Sequence, residues 1–258
     1  MTGVRDVPAI VRSRAPACRD GAGATGLSAA RSSRDGAVAV SFSADERAAV
    51  YKAIRERRDM RHFLPDPVAP ELLSRLLQAA HQAPSVGYMQ PWRVVRITDA
   101  GVRQGLREIV ERERVATAEA LGERGDAFMR LKVEGMAECG ELLVMALMDG
   151  REAHVFGRRT LPEMDLASVA CAIQNMWLAA RAEGLGMGWV SLFEVEAVRV
   201  LLGMPAGARP VAILCLGHVE AFYPRPMLES EGWAPREEMQ VYENRWLAAE
   251  AGGAEEAR

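Results

Sequence analysis

Lysine is almost absent from this chain: of its 32 cationic side chains only Lys52 and Lys132 are lysines. Arginine makes up the rest, so a lone arginine carries little information and only its neighbours can mark it as a ligand group. Cysteine is sparse too. Cys18, Cys139, Cys171 and Cys215 lie far apart with no CxxC pair, which indicates neither a zinc site nor a disulfide framework and fits a reducing, cytoplasmic setting. The four histidines, His62, His81, His154 and His218, show no ligand spacing and no HExxH pattern, so no metal is expected. No apolar run reaches spanning length, and no membrane helix is expected either. The net charge of −3 argues against a nucleic-acid partner.

What is present is an ordinary globular composition, 49% hydrophobic over 258 residues, enough to bury a core without staples. Residues 1–41 stand apart. They carry six Arg and three Asp among many Ala, Gly and Ser, without helical or strand period, and are expected to be a disordered extension to a body over 42–258.

Order is expected to begin at Ser43, where Ser43-Ala44-Asp45-Glu46 forms a capping box. That helix should run to about Arg58 with Val50 and Ile54 on its apolar face. A second helix follows Pro70, with Leu72, Leu73, Leu76 and Leu77 at helical spacing. Trp92 to Ile97, Glu141 to Leu147, Gly186 to Phe193 and Arg209 to Gly217 read as strands. Further helices are expected over 102–121, 126–138, 164–183, 195–202 and 236–250, with a charged loop at 151–163 and a loop at 219–235. Strands mixed irregularly with helices indicate an α+β fold.

Arg57-Arg58-Asp59-Met60-Arg61 crowds three guanidinium groups around one carboxylate at the end of the first helix. Arg57 and Arg61, four apart, are expected to share a helix face. A guanidinium fork matches phosphate geometry, although cations at a helix C-terminus also complement the macrodipole. Asp59 is the odd member, since a carboxylate repels a phosphate. The glycines of Gly184-Leu185-Gly186-Met187-Gly188 come after a helix and before a strand, the reverse of a Rossmann loop. They fit a helix cap and tight turn, or a backbone brought close to a ligand. Glu163 and Asp165, at a helix start, suit the dipole. Met176 and Trp177 read as core.

Three separated motifs together resemble the flavin-dependent nitroreductase superfamily. The first is Arg57-Arg58-Asp59-Met60-Arg61-His62-Phe63, the second runs from Ala83 to Trp92, and the third is the glycine-rich stretch from Gly184 to Phe193. Asp59 stands where that superfamily usually has Ser, and Tyr88 where it usually has Asn. With His154 to Asp165, Gly188 to Phe193 and Pro226-Met227-Leu228-Glu229, these departures resemble the 5,6-dimethylbenzimidazole synthase family of aerobic vitamin B12 (cobalamin) biosynthesis. The resemblance implies a central, mostly antiparallel sheet flanked by helices. It also implies an intertwined homodimer with its sites at the subunit interface and a C-terminal arm reaching the partner. Reduced FMN is then a substrate consumed with molecular oxygen, delivered by a separate flavin reductase. The scaffold alone equally allows an NAD(P)H-dependent FMN nitroreductase or flavin reductase, or a corrinoid cobalt reductase.

By the same resemblance, Arg57 and Arg225 would hold the FMN phosphate, Arg58 would brace that cradle, and Arg61 would lie near the N1–C2 edge of the flavin. Ser85 and Gln90 would reach the ribityl chain or ring edge. Met60 and Met89 would line the site, and Ser191 with Leu192 would sit beside flavin N5. Asp59 and Ser191 match the residues that family uses for the conversion itself. A carboxylate near a ribityl hydroxyl can act as general base, kept ionised by the arginines beside it. The 151–163 loop is expected to help form a lid and Tyr88 to add apolar cover, since oxygen chemistry on a flavin needs water excluded.

Overall fold

Helix α1 (Ala44–Glu56) starts at the expected capping box. The Glu46 amide donates to Ser43 Oγ at 3.3 Å and the Ser43 amide to Glu46 Oε2 at 2.8 Å. The structure, a computed structural model, describes residues 41–246. The expected extension over 1–41 lies outside the described residues apart from Ser41, as do residues 247–250 of the expected terminal helix. α1 stops short of the expected Arg58: Arg57 is already extended, with φ −58° and ψ 134°. Its apolar face is not covered by the described residues, and Val50 and Ile54 stay exposed.

Strands β1 (Trp92–Ile97), β2 (Glu141–Leu147), β3 (Gly186–Val190) and β4 (Arg209–Gly217) form one sheet in the order β1-β2-β4-β3. Every pairing is antiparallel, as expected of the α+β fold. β2 is buried along its whole length, because helices cover both faces of the sheet. On one face, α2 (Pro70–His81) and α5 (Met164–Ala182) bring Leu73, Leu76, Ile173 and Met176 against Leu143, Met145, Leu214 and Leu216. On the other, α3 (Ala100–Ala120) and α6 (Val195–Leu201) bring Leu106, Ile109 and Val198 against Leu142, Val144, Ile213 and Cys215. Successive residues of β2 and β4 thus feed opposite cores, as the pleat dictates. Such two-sided burial gives near-continuous apolar runs in sequence.

Two expected helices are cut down. Of 126–138 only α4 (Gly125–Arg130) forms, because Leu131 turns extended and the Glu134 carboxylate takes the Met136 amide out of helical bonding. Residues 236–246 form no helix. Met239 and Val241 there are exposed, and a short helix without an apolar face to bury is marginal in water. A short helix, α7 (Met227–Ser230), lies instead in the stretch expected to be loop. Among the described residues no helix is long and apolar enough to cross a membrane.

Candidate active site

β3 is an edge of the sheet, and residues 57–61 lie along it. Asp59 bridges Met187 in parallel, and the Met60 amide donates to the Met187 carbonyl at 3.0 Å. This explains why α1 ends early: an open strand edge offers the backbone partners that would otherwise go unpaired. Side chains alternate along an extended chain. Asp59 and Arg61 therefore face one cleft, which Arg57 and Arg58 also line, while Met60 between them, 1% exposed, joins the core on the α3 side. Arg57 and Arg61 do share a face, but it belongs to an extended segment and not to a helix. Met60, expected to line the site, is not among the cleft residues.

The contact is close enough to require glycine. A Cβ on Gly188 would sit 2.3 Å from the Met60 carbonyl oxygen and 2.7 Å from Arg61 Nη1. On Gly186 it would meet Val219 Cγ1 at 2.4 Å and Met60 Cγ at 3.2 Å. The glycine series and the arginine cluster, far apart in sequence, are two sides of one packing contact.

Asp59 is held from two directions. Arg61 Nη2 donates to its Oδ2 at 2.6 Å, and the Trp189 amide donates to its Oδ1 at 3.0 Å. The same Arg61 Nη2 donates to the Trp189 carbonyl at 2.9 Å. Burial pushes the Asp59 carboxyl above its ordinary value of 3.8, against Arg61, the Trp189 amide and Arg57, which all pull it down. The arginines were expected to keep it ionised. They act in that direction, but the desolvation of a carboxylate set against the sheet edge outweighs them, even though 42% of the side chain remains open to the cleft.

The C-terminal segment fastens this stretch from the other side. Arg58 Nη2 donates to the Pro224 carbonyl at 2.9 Å, and the Arg61 amide donates to the Tyr223 hydroxyl at 3.2 Å. His62 Nδ1 is 2.6 Å from that hydroxyl. Arg225 is exposed, directly before Pro226, which lines the cleft. The cleft, about 400 Å³, joins Arg57, Arg58, Asp59 and Arg61 to Trp189, Val190, Ser191 and Leu192 of the third motif. Its apolar wall comes from Phe128, Leu131, Val133, Met227, Leu228 and Trp233, none of which the sequence reading placed at the site. The Arg124 guanidinium lies 3.8 Å over the Trp233 ring, and the rings of Phe128 and Trp233 meet at 6.1 Å, tying the two sides of that wall together.

Ser85, Met89 and Gln90 are not brought to this cleft. Ser85 Oγ accepts the Gln90 amide at 3.0 Å, and Met89 is buried. Tyr88 and Gln90 hold left-handed backbone, φ 54° and 49°, a costly state for non-glycine residues. Tyr88, expected as apolar cover, is 84% exposed. The 151–163 loop packs against the same motif: a Cβ on Gly87 would meet the Phe156 carbonyl oxygen at 2.6 Å. None of its residues lines the cleft, so within one chain it forms no lid there. Asp165 does more than suit a dipole. It is buried and pairs with Arg151 at 2.9 Å and Arg158 at 3.1 Å, anchoring that loop.

The nitroreductase family model matches residues 54–218, and the chain belongs to that family. Within it, the chain groups with the 5,6-dimethylbenzimidazole synthases. It is 44% identical to that of Rhodospirillum rubrum over 183 residues, spanning 70% of this chain and 86% of the relative. To that of Rhodobacter capsulatus it is 37% identical over 196 residues, spanning 75% and 95%. Among solved structures it is similar to oxidised iodotyrosine deiodinase bound to FMN and 3-iodo-L-tyrosine. The TM-score is 0.61 at 24% identity, covering 76% of this chain and 100% of that one, a likeness of fold.

Proposed function

We propose that this chain is a 5,6-dimethylbenzimidazole synthase: a cytoplasmic homodimer that consumes reduced FMN with molecular oxygen to form the lower-ligand base of cobalamin. The observation that carries this reading is the position of Asp59, a lone carboxylate of raised basicity among the guanidinium groups of the cleft. An acid there opposes simple phosphate binding, and its presence calls for proton chemistry close by. The identity to synthases of two organisms supports the same reading.

The residues fit the flavin. Arg61 Nε and Nη1 and Arg58 Nε are buried without a hydrogen-bond partner. Orphaned cationic donors are costly and suit an anion and the electron-rich edge of a heterocycle. The apolar wall suits a flat ring. Reduced FMN supplies both the ring that becomes the base and the electrons that oxygen takes up, and its ribityl part leaves as a sugar phosphate. Arg57, with Arg225, binds the phosphate, and Arg58 braces the cradle by donating to the Arg55, Arg57 and Pro224 carbonyls. Arg61 donates to the N1–C2 edge. Asp59 removes a proton from a ribityl hydroxyl as general base. Ser191, beside Leu192, holds a proton at N5. Phe128, Leu131 and Trp233 exclude water from one side of the ring.

A second copy completes the site. Val50, Tyr51 and Ile54 on α1, with Tyr88, Val155 and Phe156, are exposed large apolar residues of the kind that marks an interface. In this reading a partner covers them, and its 85–90 segment, with Ser85, Met89 and Gln90, reaches the flavin. A separate flavin reductase delivers the reduced substrate.

The test is direct. Purified protein is incubated with FMN, a flavin-reducing system and oxygen, and the products are separated by chromatography. 5,6-Dimethylbenzimidazole is expected. Recovery of intact flavin alone would overturn the reading.

A further inference from the structure

Trp177 lies outside the cleft and has the spacing of a core residue, yet its surroundings give it a second role. It sits on α5, buried, and its indole Nε1–H donates to the Arg58 carbonyl at 3.1 Å. The Arg57 guanidinium carbon is 4.5 Å from its ring centroid, and its ring meets that of Trp189 at 6.3 Å. Arg57, Arg58 and Trp189 all line the cleft. One turn along the same face of α5, Arg181 donates to the Glu56 carbonyl at 3.3 Å and to the Glu56 carboxylate at 2.7 Å. A single helix face thus holds the chain where it leaves α1 and turns along the sheet edge.

The Arg57 charge is badly placed without help. Burial lowers its pKa, and Arg58 and Arg236 repel it, with Asp59 alone opposing. A carboxylate partner would neutralise the charge and occupy its donors. An indole face stabilises the cation and fixes the plane of the guanidinium, but consumes none of its five N–H donors. The fork stays free for bidentate contact with an anion.

We propose that Trp177 is a positioning residue for anion binding, its ring presenting the Arg57 guanidinium to the phosphate of the ligand. This rests on the reading of the cleft as an FMN site.

FMN and riboflavin differ by the phosphate alone, so the ratio of their dissociation constants isolates the effect. Both constants are measured by flavin fluorescence for the wild type, Trp177→Phe, Trp177→Met, Trp177→Leu, Arg57→Ala and the double variant Arg57→Ala/Trp177→Met. The wild type is expected to prefer FMN. A non-aromatic residue at 177 should cut that preference about three- to tenfold, with riboflavin affinity nearly unchanged, and Trp177→Phe should keep most of it. Once Arg57 is alanine, the change at 177 should have no further effect on the preference. A purely structural tryptophan would weaken both flavins alike and in both backgrounds, and that result overturns the proposal. If neither non-aromatic variant folds, a Trp177→Phe protein that binds FMN no better than riboflavin overturns it as well. A wild type that binds neither flavin refutes the flavin reading itself and this proposal with it. A wild type with the preference, whose loss at 177 is indifferent to Arg57, refutes this proposal alone.

Discussion

Asp59 and Trp189 are joined through the main chain: the Trp189 amide donates to Asp59 Oδ1 at 3.0 Å, so the carboxylate is fixed by the strand it lies against. Asp59→Asn can keep that bond while losing basicity. Product formation is expected to fall at least about 100-fold. FMN affinity should hold or rise, since a negative charge leaves the neighbourhood of the phosphate cradle. Chromatography for the base and a flavin titration check the two halves separately, and a wild-type rate of product formation would refute the role.

The acid limb of the pH–rate profile should report the same group. Burial raises the Asp59 pKa above 3.8, and the working base is the ionised form. At saturating FMN the rate should therefore fall as pH drops through a value above that of a free aspartate. Arg61 is the largest opposing influence, so Arg61→Gln should shift the limb further up. The sign for stability is opposite to that of a salt-bridged aspartate. With the folded pKa above the unfolded one, the contribution is full below the unfolded value and is lost as pH rises through the folded value. A limb that ignores Arg61→Gln would assign the titration to another group.

Gly188→Ala should destabilise the fold by about 1–3 kcal/mol through overpacking. The added carbon would meet the Met60 carbonyl oxygen at 2.3 Å, a backbone atom that cannot swing aside. Urea unfolding gives the cost, and a midpoint equal to that of the wild type would mean that the two segments are not in this contact.

Asp165→Asn removes the anion between Arg151 and Arg158, in a pairing whose side chains are only 8–12% exposed. Breaking a buried pair by removing one partner costs about 3–5 kcal/mol. Limited proteolysis should then cut within 151–163 sooner than in the wild type, and an unchanged cleavage pattern would show that the loop is held by other contacts.

Sedimentation should give twice the chain mass of 28.2 kDa. Ile54→Glu and Phe156→Glu alter residues that are exposed in the single chain and so should spare its fold. Charge in an apolar interface should nevertheless shift both variants toward monomer and weaken FMN binding. A monomeric wild type with full activity would refute the shared site.

The sequence was most readable where local pattern and final partner agree. β2 and β4 run over the expected residues because their apolar runs meet cores on both sheet faces, and β1 does so with only Trp92 and Ile97 buried at its ends. It was least readable where a distant partner decides. Arg57 is a good helix former, and distant partners, the edge at Met187 and the face of α5, take the chain out of the helix there. Arg57, Arg58, Asp59, Arg61, Ser191 and Leu192 were recognised through their motifs, and the structure brings all six to one cleft. Of its apolar wall only Met227 and Leu228 belong to a recognised motif, since Phe128 and Trp233 come from segments with no common pattern. Asp165 looked like an ordinary helix-start acid because the arginines that bury it return from a loop.

The alternation along 57–61 also makes this region sensitive to chain length. Asp59 faces the cleft and Met60 the core only because the number of residues between Glu56 and the bridge at Met187 has the right parity. A one-residue slip of the bridge would set the thioether of Met60 toward the cleft and the carboxylate of Asp59 toward the α3-side core that Met60 now fills. Point substitutions could retune this segment one position at a time, whereas a change of one residue in its length would reverse inside and outside together.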